Sequence, residues 1–289
     1  MLVTLDVEVL RGIEPGPGLW MSAAIHGDEL NGIESIRRLR DRLNPKRLRG
    51  AVWLVPVVNT FGFINQSRYL PDRRDLNRSF PGSARGSLAS RVASIFMQEV
   101  AGHCSYGIDL HTGSDGRTNL PQVRANLDDA EARRCAIAFG APIALHSQIR
   151  DGSLRMAADR YGKHVLLHEA GQAMRYEEDA ITSAVDGSLR VMSHLGMLID
   201  DPPALRESAV TPIARSSRWV RARRSGLLSL EVERGSRVAR GQLLGWIRSA
   251  FGDERVRVKS PEDGVVIGLS LNPLVRQGDA VIHVATDFE

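Results

Sequence analysis

Cysteine is scarce in this chain. Cys104 and Cys135 are the only two in 289 residues, and their spacing suits no metal site. A single disulfide is one alternative; two free, buried thiols in a cytoplasmic protein is the simpler expectation. Long apolar runs are missing too, so no segment has the length needed to cross a membrane. Met1 to Val9 lacks the basic-then-apolar order of a signal peptide and reads as a strand. No basic tract carries interleaved aromatics, and the net charge of +4 is modest, so nucleic acid is not an expected partner. What remains is a chain that is 43% apolar, enough to bury one large and one small domain.

Along the chain, Leu19 to Ile25 reads as a strand and His26-Gly27-Asp28 as its exit turn. Ile33, Ile36, Leu39 and Leu43 then recur at helical spacing, which predicts a helix from about Glu29 to Leu43, ended by Asn44-Pro45. Leu48 to Val58 reads as a buried strand that Pro56 weakens. Asn59 to Gly82 is long, polar and poorly periodic, the signature of a functional loop, and Phe61, Phe63, Tyr69 and Phe80 speak against disorder. A helix is expected over Ser87 to Ala101, a strand over Tyr106 to Leu110 ending at His111, and helices over Ala125–Phe139 and Asp151–Tyr161. A further strand covers His164–Glu169, and a helix Tyr176–Leu195. Strand, site residue, loop is the order of a parallel α/β sheet, in which ligands gather beyond the carboxyl ends of the strands.

Pro202-Pro203 marks a boundary, which divides the chain into residues 1–205 and 206–289. The second part is rich in short β-type runs and repeats itself. Gly226 to Ile247 matches Gly264 to Val284 with a one-residue gap, so two copies of a small β unit are expected to fold against each other.

The chemistry concentrates at a few positions. His26 and Glu29 stand three apart across a turn into a helix, where both can reach one point. With His111 from another strand end they form a mixed nitrogen and oxygen set that fits zinc and leaves a position for water. The plain alternative for His26 is a turn histidine satisfied by a backbone carbonyl. Asp109, two residues before His111, shares its side of the strand and is placed to support it. Glu169 closes an apolar run, where a poorly solvated carboxylate suits a general base; a salt-bridged edge residue fits the sequence equally well. His168 is expected to point the other way, and His146 and His164 to be structural or exposed. In the long loop, Arg68 and Arg78 belong to a charged cluster of the kind that is usually a solvated surface; brought into a metal pocket, they would polarise a carbonyl or grip a carboxylate, and Asn77 would add an amide hydrogen bond.

Taken together, His26-Gly27-Asp28-Glu29 with Gly32, Asp75-Leu76-Asn77-Arg78 with Phe80-Pro81-Gly82, Asp109-Leu110-His111-Thr112-Gly113 and Glu169-Ala170-Gly171 resemble, in order, the succinylglutamate desuccinylase/aspartoacylase family. The resemblance covers nearly the whole chain. Its two-part form is similar to the bacterial branch that includes N-acetyl-diaminobutyrate deacetylase. It implies a zinc carboxypeptidase-like α/β fold, a mixed, largely parallel sheet flanked by helices, followed by a small all-β barrel or sandwich. It implies one zinc ion on His26, Glu29 and His111, and hydrolysis of a small N-acyl amino acid by metal-bound water. Glu169 would be the base and proton shuttle, Arg68 the group that polarises the carbonyl, and Asn77 and Arg78 the substrate-binding pair. Arg155 is the candidate for a further carboxylate-binding arginine, on a poor local match. N-acetyl-aspartate and N-succinyl-glutamate are not favoured over other small N-acylated amino acids. A zinc carboxypeptidase acting on peptides is the enzyme alternative, although the interval from Glu29 to His111 is short for that class. A non-catalytic scaffold is the other alternative.

The repeat also resembles biotinyl/lipoyl carriers, but its expected hairpin tip near Ser249–Arg255 holds no lysine for a prosthetic group. A structural or pocket-covering module follows, and a candidate for an oligomer contact.

Overall fold

The computed structural model describes residues 4–147, 151–200 and 210–289. Strand β1 (Glu8–Arg11) starts later than the strand expected from Met1. In β2 (Glu14–Ala23) the run Leu19 to Ala23 is buried on both faces, as in a central parallel strand. Alternate residues feed opposite cores: Leu19, Met21 and Ala23 pack on one side of the sheet and Trp20 on the other. Helix α1 (Asn31–Arg42) buries Ile36 and Leu39 and turns Arg37, Arg38 and Arg40 outward to acidic partners. Gly32 lets α1 settle on the sheet, since a Cβ there would stand 2.7 Å from the Ala23 Cβ and 2.8 Å from the Leu110 Cβ. Strand β3 (Arg49–Val55) ends immediately before Pro56, so the proline costs no ladder bond.

The long stretch from Asn59 is more ordered than a plain loop. It holds the short helix α2 (Thr60–Ile64) and a 3-10 turn at Leu76–Arg78, each started by a side-chain cap, Asn59 and Asp75 respectively. Then come α3 (Leu88–Glu99), β4 (Tyr106–Gly113), β5 (Arg117–Ala125), α4 (Ala130–Phe139), β6 (Ala144–His146), α5 (Leu154–Asp159), β7 (His164–Gln172) and α6 (Glu178–His194). Strand β5 corrects the sequence reading. The helix expected from Ala125 starts only at Ala130, and Arg117–Ala125, polar and carrying Pro121, is a strand because neighbours on either side bury it. Helices α1, α4 and α6 feed one core, α3 and α5 the other.

The C-terminal part contributes β8 (Ile213–Arg221), β9 (Gly226–Leu230), β10 (Arg237–Val238), β11 (Leu243–Arg248), β12 (Arg255–Lys259), β13 (Gly264–Ser270), β14 (Leu274–Val275) and β15 (Ala280–Phe288). The boundary at Pro202-Pro203 lies outside the described residues. Repeat-equivalent residues meet reciprocally: Val238 stands opposite Gly264, and Val275 opposite Gly226. One mixed sheet runs β1-β3-β2-β4-β7-β5-β6-β8-β15-β13-β10, and β13 pairs again with β5. Strands β5, β6, β8, β15 and β13 therefore close a ring around Leu145, Ala214, Ile267 and Ala285. A second sheet, β12-β11-β9-β14, completes the C-terminal unit.

Candidate active site

Strands β2, β4 and β7 lie side by side and parallel, so their carboxyl ends open on one cavity. At the exit of β2, His26 and Glu29 turn back toward β4. The turn is pressed against α2, and a Cβ on Gly27 would fall 2.0 Å from the Gly62 carbonyl carbon. Ala24 holds a φ of 49°, a backbone strain next to the site that a side-chain-bearing residue rarely adopts.

His26, Glu29 and His111 are brought together and are almost sealed from solvent. His26 Nδ1 lies 2.8 Å from Glu29 Oε1, His111 Nδ1 lies 2.9 Å from Glu29 Oε2, and the two Nδ1 atoms are 3.2 Å apart. Their far nitrogens are each held by another carboxylate: His26 Nε2 is 3.2 Å from Asp75 Oδ1, and His111 Nε2 is 2.8 Å from Asp109 Oδ2. Ser22 donates to the other oxygen of Asp109 at 2.8 Å. Two imidazole lone pairs and a carboxylate aimed at one point, with both rings backed by acids, suit a divalent cation of the zinc type.

The electrostatics agree with that donor set. Burial raises the Glu29 carboxyl, but the two imidazoles outweigh it and hold the group well below the usual carboxylate range. Burial lowers His111, yet Asp109 and Glu29 raise it well above an ordinary histidine; His26 is raised in the same way by Glu29 and Asp75 against its burial. A positive charge at this point is what the surrounding carboxylates stabilise.

Glu169 stands opposite His111 in the β4–β7 register, and its Oε2 accepts a 2.8 Å hydrogen bond from Asn119 on β5. Arg68 donates to Ser114 Oγ at 2.7 Å and to Asp75 at 2.8 Å, with its guanidinium 3.6 Å from Glu29. Asn77 Oδ1 accepts from the Leu154 N–H at the start of α5, so the amide nitrogen is the group it has left for a ligand. Arg78 and Arg155 line the same cavity, of about 530 Å³, and Arg155 also donates to Ser147 Oγ at 3.1 Å. His168 points to the opposite face, against Phe139 and Ser183. His164 and His146 serve Asp129 and the Leu127 N–H.

Several residues escaped the sequence reading. Ser114 bridges Glu29 and Arg68, Asp75 bridges His26 and Arg68, and Asn119 holds Glu169. Asp75 alone left a trace, inside the Asp-Leu-Asn-Arg motif. Arg117 and Arg124 of β5, and Trp219 and Arg221 of β8, also line the cavity, so the C-terminal unit forms part of its wall.

The family described as the succinylglutamate desuccinylase/aspartoacylase catalytic domain matches residues 15–195. A curated relative, N-alpha-acetyl-L-2,4-diaminobutyric acid deacetylase of Halomonas elongata, is 29% identical over 99% of this chain and 87% of its own. The crystal structure of a succinylglutamate desuccinylase/aspartoacylase from Rhodobacter sphaeroides superposes with a TM-score of 0.87 at 27% identity, covering 99% of this chain and 90% of that one. The product-bound ectoine utilization protein EutE (DoeB) from Ruegeria pomeroyi gives a TM-score of 0.87 at 25% identity, covering 98% and 89%.

Proposed function

The chain belongs to the succinylglutamate desuccinylase/aspartoacylase family, and on that basis we propose that it is a zinc-dependent amidohydrolase that removes the acyl group from a small N-acyl amino acid. The observation that carries this reading is the convergence of His26, Glu29 and His111 at adjoining strand ends, with Glu169 in register beside His111. The deacetylase name of the Halomonas relative supports the deacylase class.

Zinc held by His26, Glu29 and His111 would supply Lewis-acid polarisation of a water and of the scissile carbonyl. Glu169, steadied by Asn119, takes the proton of the attacking water. As the carbonyl oxygen gains charge, the Arg68 guanidinium stabilises it. The carbon–nitrogen bond breaks, and Glu169 returns the proton to the leaving amine. Asn77, Arg78 and Arg155 face the same cavity and bind the substrate's carboxylate and neighbouring polar groups. Trp219 and Arg221 of the C-terminal unit also line the cavity, a wall that favours small substrates over peptides.

We read the C-terminal unit as a structural module and not a working carrier, since its β11–β12 tip at residues 249–254 contains no lysine. A cytoplasmic setting accords with Cys104 and Cys135, both free and buried.

The test is a panel of N-acetyl and N-succinyl amino acids, blocked dipeptides and longer peptides, assayed with zinc-loaded protein. Release of free amino acid from the small N-acyl compounds is the expected result. Efficient cleavage of long peptides with no deacylation of single residues would replace this reading by a carboxypeptidase.

A further inference from the structure

The C-terminal unit places more cations beside the cavity than the chemistry above uses. A groove of about 420 Å³ adjoins the cavity, and Trp219 and Arg221 line both. Arg223, Arg257 and Lys259 line this groove and a second one of about 520 Å³, where Arg255 and Trp246 join them. With Arg240 in the first groove, six cations line the two grooves, and Arg221 among them also lines the cavity. Among the described residues neither lining contains an acid.

The local structure explains how these charges share a face. On β12, Arg255, Arg257 and Lys259 alternate with Val256 and Val258, and Val258 packs into the core. Arg257 stands opposite Trp246 on β11, and the guanidinium carbons of Arg255 and Arg257 lie 4.8 and 5.6 Å from the centre of the indole ring. Of the nearby acids, Glu231 accepts the Trp246 N–H at 2.8 Å and Asp263 the Arg240 backbone N–H at 2.8 Å, while Glu254 pairs with Arg224 and Glu262 with Arg218. Cations two residues apart on a strand repel one another, and an anion relieves that repulsion. Charge on an edge strand also discourages sheet-to-sheet pairing, and β12 is an edge. Edge protection needs no continuity with the active-site cavity, whereas the shared Trp219 and Arg221 provide it.

We infer that this face is an anion-collecting track that draws carboxylate-bearing substrates toward the cavity. The inference rests on the hydrolase reading for its physiological ligand, but not for its charge chemistry. A surface of one sign leading to a cleft raises the local concentration and encounter rate of an oppositely charged substrate, and salt abolishes the effect.

The experiment uses the full-length, zinc-loaded protein with Arg255, Arg257 and Lys259 all replaced by glutamine. At low salt, about 10 mM, kcat/KM for an N-acyl amino acid is expected to fall roughly 3- to 10-fold, with kcat within about twofold of the parent. At about 0.5 M NaCl the two proteins should converge. The corresponding N-acyl amino-acid amide, which lacks the carboxylate, should show no difference between them. An unchanged kcat/KM and salt slope would overturn the inference, as would an equal loss on the charged and uncharged substrates. A variant that aggregates while keeping the parental salt slope would assign the charges to edge protection instead. A separate arm needs no turnover: citrate titrated into the protein should change the Trp246 fluorescence saturably, with Trp246→Phe identifying the signal and the triple variant weakening it. If no substrate is hydrolysed but citrate binds here, the track stands and the hydrolase reading falls; absence of a citrate response removes the track.

Discussion

Glu169 carries the clearest prediction at the scale of single residues. Glu169→Gln keeps the side-chain length and an acceptor for Asn119 but cannot take a proton. Turnover should fall by roughly 10²-fold or more with bound zinc retained, and kinetics with metal analysis on one preparation would check both halves. His111→Ala should instead lose the metal, because only His26 and Glu29 would remain of the convergent set; equal zinc content in parent and variant would show that the metal sits elsewhere. His168 supplies a pH dependence. Burial pushes its imidazole down to about 3 from the ordinary 6.5, so the folded protein keeps it neutral. Below pH 6.5 the unfolded chain takes up a proton that the folded chain refuses, so stability is lost as pH falls. Between pH 7 and 5 this one residue should cost about 2 kcal/mol. His168→Gln has no proton to gain, so urea titrations of the two proteins at both pH values should show the parent losing that much relative to the variant. Glu29 and Asp75, whose carboxyls are held low, stay ionised through this window and lose their contribution only in stronger acid.

Among the elements, β5 and α1 position the site without supplying any of the three candidate ligands, His26, Glu29 and His111. Strand β5 delivers Asn119 to Glu169 and joins β7 to β13. Helix α1 lies close to β2 and β4 because Gly32 has no side chain. Gly32→Val would drive methyl groups into Ala23 and Leu110, both buried, and should cost about 1–3 kcal/mol through overpacking. Because α1 starts two residues after Glu29, the displacement should also weaken zinc affinity; chemical denaturation and zinc titration would measure the two effects. A variant with parental stability would mean that α1 shifts freely on the sheet.

For the molecule as a whole, the ring of five strands makes the two parts interdependent. Removing residues 210–289 would strip β6 of β8 and β5 of β13, and expose Ile143 and Leu145. The truncated chain is therefore expected to aggregate or fail to fold, rather than survive with a widened substrate range. Circular dichroism and size-exclusion chromatography would decide; a folded, metal-loaded fragment would show that the ring is dispensable.

Local rules were enough for much of this protein. The spacing of His26 and Glu29, the apolar runs of β2, β4 and β7, and the helical period of α1 depend on residues close in sequence, where side-chain direction follows from backbone geometry. The repeat, too, is a property of the string, and the reciprocal meeting of Val238 with Gly264 and Val275 with Gly226 follows from it. Tertiary structure decided the rest. Ser114, Asp75 and Asn119 join the site through contacts 85, 49 and 50 residues apart, and no local pattern encodes such a meeting. Strand β5 is polar and holds Pro121; its extended state comes from the neighbours that satisfy its backbone and bury it. The C-terminal strands likewise became part of the large sheet because β6 and β5 each had an edge to offer, and an open edge is satisfied by whichever strand the chain brings there.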